Sequence, residues 1–174
     1  DYKVDPEKKP WACTGWKPGD DPKKRGIINS IYIDTETLAV HNDELQAMYK
    51  QVTANEQMWE EYNCENAEYI ITAFGTVARI AKSAINELKE KGIHVGLVRP
   101  ITVWPFPYDA VAKAVNQPSV KAVLDVELNE GQMLEDVKLA VCGTKPIDFT
   151  GHCGSQMPTT DEIVEKILSM KEGK

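Results

Sequence analysis

The sequence predicts an α/β domain, a doubly wound and mostly parallel sheet with helices on both faces. Three observations lead there. From Glu68 onward, strand-length runs alternate four times with amphipathic helical runs. The connections between them are short, as in successive βαβ units. The strand runs are continuously apolar, as suits strands covered on both sides. Right-handed crossovers then distribute the helices over the two faces.

In chain order, the opening DYKVDPEKKP has no Met and reads as the interior of a longer protein or a processed form. Residues 1 to about 25 form an irregular arm rich in Pro, Gly and Lys, with Trp11 and Trp16 embedded in it. Two tryptophans in a polar arm point to a surface on which it lies. IINSIYI, Ile27–Ile33, is a short β-rich run. A helical stretch follows from about Thr35 to Tyr62, where Leu38, Leu45, Val52 and Trp59 recur every seven residues. That spacing gives one apolar stripe, with a break expected near Thr53–Asn55. His41 and Asn55 interrupt a second row, which favours a helix packed on a sheet or a partner over a coiled coil.

YIITAF, residues 69–74, is a strand ending at Gly75. Val77, Ile80, Ala81, Ala84, Ile85 and Leu88 then mark one helical face, and Gly92 supplies the stop. HVGLV, 94–98, is the next strand, and Pro107 opens a short helix with Ala110, Val111, Ala114 and Val115 inward. VKAVLDV, 120–126, is the third strand, before a helix from Gly131 to Val141. PIDFTG, 146–151, is the fourth. Thr159 and Glu162 have capping-box spacing and open the final helix, with Ile163, Ile167 and Met170 inward.

Composition excludes several classes. The chain has 174 residues, enough for one core, and its hydrophobic fraction of 42 % is that of a globular protein. A formal net charge of −7 argues against a nucleic-acid module, which needs a basic face. No apolar run is long enough to span a bilayer, and no signal-peptide pattern is present. The four cysteines form no C-x-x-C pair, so zinc and iron–sulfur ligation have little support and no metal site is expected. A reducing cytoplasm is the simplest compartment.

Ligands of such sheets bind beyond the C-terminal strand ends, where four loops emerge. AFGTVAR offers the N–H groups of Gly75, Thr76 and Val77 to an anion. It lacks dinucleotide and Walker spacing, and a plain tight turn explains it as well. DVELNEGQ brings Asp125, Glu127 and Glu130 together, with Glu135 and Asp136 a turn further on. Such acids can bind metal or act as acid and base, yet carboxylates here also favour the N-terminus of the following helix. His152 and Cys153 are adjacent in an extended segment, so their side chains point apart and make a poor dyad. No G-x-S-x-G elbow or H-E-x-x-H helix occurs. The residues alone describe a domain without a complete active site. The loop LVRPITVWPFP, 97–107, is the anomaly, with three prolines, Trp104 and Phe106 in place of polar residues.

AEYIITAFGTVARIAKSAINELKEKGIHVGLVRPITVWPFP, VELNEGQMLEDVKLAV and GHCGSQMPTTDEI together resemble the second domain of the alpha-type subunit of 2-oxoacid:ferredoxin oxidoreductases, of the 2-oxoglutarate or branched-chain type. The likeness runs from about Pro10 to Ile167, and that domain is similar to the C-terminal domain of transketolase. The resemblance implies a three-layer α/β/α fold with a five-stranded sheet. Four parallel strands from Tyr69 onward would be joined by an antiparallel edge strand, expected at Ile27–Ile33. It also implies the domain plan: residues 1–25 as a linker arm from a preceding pyrimidine-binding domain, and 26–174 as the transketolase C-terminal-like domain.

The whole enzymes of the family oxidatively decarboxylate a 2-oxoacid to an acyl-CoA and reduce ferredoxin, in anaerobic metabolism. Thiamine diphosphate, magnesium, iron–sulfur clusters and the substrate CoA serve that reaction. Implied partners are the chain's own N-terminal pyrimidine-binding domain, a thiamine-diphosphate-binding subunit and a ferredoxin-like subunit, with neither nucleic acid nor membrane. This chain lacks the G-D-G…N-N diphosphate motif and the cysteine clusters, and its last loop carries Gly151-His152-Cys153-Gly154-Ser155 where a basic residue and paired glycines are expected. The resemblance therefore implies a non-catalytic assembly domain with no cofactor of its own. The alternative is a free-standing CoA- or nucleotide-binding domain at Gly75–Val77. A third reading, a Cys-dependent enzyme, is weaker. Interface candidates are Arg99, Trp104, Phe106, Trp11 and Trp16. For Trp104 and Phe106 the rival reading is that both rings cap the domain's own core. Aromatic–proline bonds favour cis more than most, which makes Trp104–Pro105 a candidate.

Overall fold

The computed structural model describes residues 17–21 and 30–173. Trp11, Trp16 and the first residues of the Ile27–Ile33 run lie outside them. The described residues belong to two compact units, one up to Met48 and one from Tyr49 onward. In the first, Asp34 begins a helix by accepting from both the backbone N–H and the hydroxyl of Thr37, a helix-start pattern for which Asp suits. That helix, α1 (Thr35–Asn55), buries none of its side chains. Among the described residues the stripe positions Leu38, Leu45 and Val52 stay exposed or half-buried, and the helix stops at the expected break.

The second unit holds the sheet. Its described strands are β1 (Trp59–Tyr62), β2 (Tyr69–Thr72), β3 (Val95–Pro100), β4 (Ala122–Glu127) and β5 (Ile147–Gly151), in the order β1-β3-β2-β4-β5. β2 to β5 are parallel, and β1 pairs antiparallel with β3, Glu60 opposite Arg99. The edge strand is thus not Ile27–Ile33, whose described part, residues 30–33, carries no strand. It is WEEY, which the seven-residue pattern assigns to the helix. Glu60 decides the matter: on β1 it reaches Lys82 at 2.5 Å and Arg99 at 3.0 Å, partners no isolated helix could offer.

The remaining helices are α2 (Gly75–Glu90), α3 (Tyr108–Val115), α4 (Gln132–Val141) and α5 (Thr160–Glu172). α2 and α5 cover one face through Ala81, Ile85, Leu88, Ile163 and Ile167, packed on Ile71, Leu97 and Leu124. α3 and α4 cover the other through Val111, Val115, Val137 and Val141, packed on Ile70, Val98 and Val123. Alternate residues of each strand feed opposite cores, as the two-residue strand period requires. Gly92 ends α2 with φ 74°, and α5 opens with the full capping box of Thr159 and Glu162. Among the described residues no helix is long and apolar enough to cross a membrane.

Candidate functional site

β3 and β4 leave β2 on opposite sides, so the sheet reverses its winding between β2 and β4. Open α/β sheets bind ligands at that position. There the C-terminal strand ends meet a cleft of about 340 Å³, walled by Phe74, Val103, Phe106 and Met133 and edged by Glu127, Asn129, Gln132 and Asp136. Tyr108, on α3, donates its hydroxyl to the Asp136 carboxylate across the rim. That bond, with some burial, pushes the Tyr108 phenol up to about 12.

The turn after β4 is the most organised part of the site. Asn129 Oδ1 accepts from the N–H groups of Gly131 and Gln132, each at 2.8 Å. Glu127 accepts from the N–H groups of Met133 and Leu134, each at 2.9 Å, and from Asn129 Nδ2 at 2.9 Å. Four successive donors at the start of α4 are thereby satisfied. This is the helix-favouring role expected of these acids, at full burial: Glu127 is 0 % exposed. Sequence reasoning missed Asn129, although Asn ahead of Glu-Gly is a turn signal.

Asp125 lies two residues before Glu127 and is also 0 % exposed. Its Oδ1 accepts the Thr72 hydroxyl at 2.6 Å, and its Oδ2 is buried without a partner. Burial above all, and then the neighbouring Glu127, pushes the Asp125 carboxyl up to about 8, against the pull of the Thr72 bond. These acids do not fit a magnesium-bound diphosphate, because both are wholly buried, Glu127 spent on the start of α4 and Asp125 held by Thr72. Among the described residues no cluster of metal-ligating side chains forms.

Gly75 opens α2 with φ 57°, Thr76 is exposed and Val77 is buried in the α2–α5 core, with no side chain capping the helix start. His152 and Cys153 face different partners. The His152 ring lies 3.2 Å from the Glu162 carboxylate, and the Cys153 thiol is pushed up by its hydrogen bond to Glu130. Arg99 is tied to Glu60.

The two rings of the proline-rich loop part company. Phe106 is 3 % exposed, packed with the α3–α4 core and edge-on to Tyr108. For Phe106 the interface expectation is corrected in favour of the core, because the loop turns its ring under α3. Trp104 is 58 % exposed and meets Tyr49 edge-on. The Trp104–Pro105 bond is cis. Ile101 and Val103 of the same loop, and Met58 and Trp59 at the start of β1, are also exposed. The backbone holds this patch in shape: Ile101 N–H donates to Met58 O at 2.9 Å, Met58 N–H to the Thr102 hydroxyl oxygen at 3.0 Å, and that hydroxyl to Pro105 O at 3.0 Å.

The model of the family described as pyruvate:ferredoxin oxidoreductase core domain II matches residues 67–163. The chain is 34 % identical over 157 residues to the ketoisovalerate oxidoreductase subunit VorB of Methanothermobacter marburgensis, covering 90 % of this chain and 43 % of that one. Among solved structures it resembles 2-oxoglutarate:ferredoxin oxidoreductase from Magnetococcus marinus, solved with 2-oxoglutarate, coenzyme A and succinyl-CoA bound, at TM-score 0.64 and 20 % identity over 84 % of this chain and 25 % of that one. It also resembles a split gene transketolase, an inactive beta4 tetramer, at TM-score 0.50 and 16 % identity over 60 % and 38 %. The two structural likenesses concern the fold, and they agree with a three-layer, transketolase C-terminal-like arrangement. The chain spans less than half the length of the VorB relatives it matches. It belongs to the pyruvate:ferredoxin oxidoreductase core domain II family, and its relatives are subunits of 2-oxoacid oxidoreductases.

Proposed function

We propose that this member of the core domain II family is a non-catalytic assembly domain of a 2-oxoacid:ferredoxin oxidoreductase. The observation that carries the reading is the patch around Trp104. Exposed rings and aliphatic side chains there are fixed by backbone hydrogen bonds, so little entropy is lost when a partner covers them. Of the acids after β4, Asp125 and Glu127 are turned inward. In the parent enzyme thiamine diphosphate, magnesium and iron–sulfur clusters supply decarboxylation and electron transfer to ferredoxin, with CoA as acyl acceptor. Those groups are held by the preceding pyrimidine-binding domain, a thiamine-diphosphate-binding subunit and a ferredoxin-like subunit. The assembly belongs in the cytoplasm, in keeping with the free thiols of Cys64, Cys142 and Cys153.

The test compares the chain alone with the assembled enzyme. Alone, it turns over no 2-oxoacid with CoA and a viologen acceptor; turnover by the pure chain would falsify the reading. Calorimetric titration with CoA addresses the alternative, because micromolar binding at the start of α2 would make this a free-standing CoA-binding domain.

A further inference from the structure

Asp125 and Glu127 leave the same face of β4, since they are two residues apart. Glu127 already accepts three hydrogen bonds from Asn129, Met133 and Leu134. Those bonds use its oxygens as acceptors. Asp125 has the single donor Thr72, and its second oxygen is buried without one. Glu127, two residues along the same face, is the neighbouring acid that acts on Asp125. Among the described residues the ion pairs engage neither acid. Two bare charges this close, away from water, repel strongly and lack solvation. One proton on Asp125 Oδ2 resolves both problems, turning the orphan oxygen into a donor for the neighbouring carboxylate.

We propose that Asp125 and Glu127 share one proton at neutral pH, and that this carboxyl–carboxylate bond is a pH-sensitive latch between the end of β4 and the first turn of α4. Glu127, Gln132 and Met133 all border the cleft, so the latch also holds one wall of it. Neighbouring elements bring other titratable groups close, but each has its own partner. Asp136 of α4 is tied to Tyr108 of α3, Glu130 of the turn to Cys153, and Asp148 of β5 to Lys166 of α5; β2 contributes the neutral Thr72. The charge that acts on Asp125 is that of Glu127.

The sign of the pH dependence follows. The folded chain keeps a proton that the unfolded chain releases near the ordinary Asp value. The stability from the latch is therefore complete below about pH 4. It is lost as pH climbs through the folded value of about 8. Between the two, the folding equilibrium constant falls by up to about tenfold per pH unit.

Infrared spectroscopy of the 174-residue chain in heavy-water buffer tests the proton directly. A protonated-carboxyl band at neutral pH is expected, fading above pH 8 and missing from Asp125→Asn. Denaturant melts from pH 5 to 10 test the latch. Wild-type stability should decline relative to Asp125→Asn, whose amide keeps the same donor and acceptor at every pH. No band in the wild type at neutral pH overturns the shared proton, whether or not the variant folds. A band with parallel pH profiles overturns the latch.

Discussion

After β3 the chain turns outward and leaves Trp104 58 % exposed; after β4 it turns inward and leaves Glu127 wholly buried. Both segments border the same cleft, yet each inverts the ordinary rule of burial. The β4 turn is closed: every donor at the start of α4 meets an oxygen of Glu127 or Asn129, so the polarity of those two residues serves the fold. The β3 loop is open, pinned by Met58 and Thr102 while Ile101, Val103 and Trp104 face out. Buried polarity serves structure here, and exposed apolarity is what the proposed association would cover.

The sharpest way to break this contrast is Glu127→Ala. It strands two backbone donors and the Asn129 amide in a dry site, and hydrogen bonds to a charged group are each worth about 1.5–3 kcal/mol. Denaturant melts should show a loss of about 5 kcal/mol; a loss near that of a surface substitution would mean that water already serves the turn.

Phe106→Ala comes next, at about 3–4 kcal/mol, since it empties a core site under α3. An unchanged melting temperature would return Phe106 to the interface. Gly151→Ala probes the packing of the turn from the β5 side. A Cβ there would stand 2.3 Å from Asn129 O, so strand and turn must separate, at about 2 kcal/mol. Full retention of stability would show that the turn yields more easily than its hydrogen bonds imply.

Trp104→Ala should have the smallest effect on the chain, within about 0.5 kcal/mol, as befits an exposed ring. Its effect belongs to the assembled enzyme, where sizing should show weaker subunit association. Intact assembly with a clearly destabilised chain would reverse the roles of Trp104 and Phe106.

Phe106 and Trp104 also show how far the sequence reaches. They stand two residues apart in one proline-rich loop, and pattern alone leaves both as candidates for interface or core. Only the packing of α3 over Phe106 separates them. WEEY is a similar case. Trp59 fits the seven-residue stripe of the preceding helix, and two glutamates weaken any strand reading, so the edge strand becomes visible only through Arg99 and Lys82. The acids after β4 are partly legible: the sequence places carboxylates before a helix, and that is the role of Glu127. The missing partner of Asp125 Oδ2 is a property of the fold.

The sequence by itself determined the four parallel strands, the helices α2 to α5 with their inward faces, and the capping box at Thr159. These are written in periodicity and end signals, which act over a few residues. The tertiary structure alone decided the edge strand, the opposite fates of Trp104 and Phe106, and the burial that leaves Asp125 Oδ2 without a donor. Each of these depends on residues distant in sequence, through strand pairing, helix packing or burial, and no local pattern encodes what a side chain meets across the sheet.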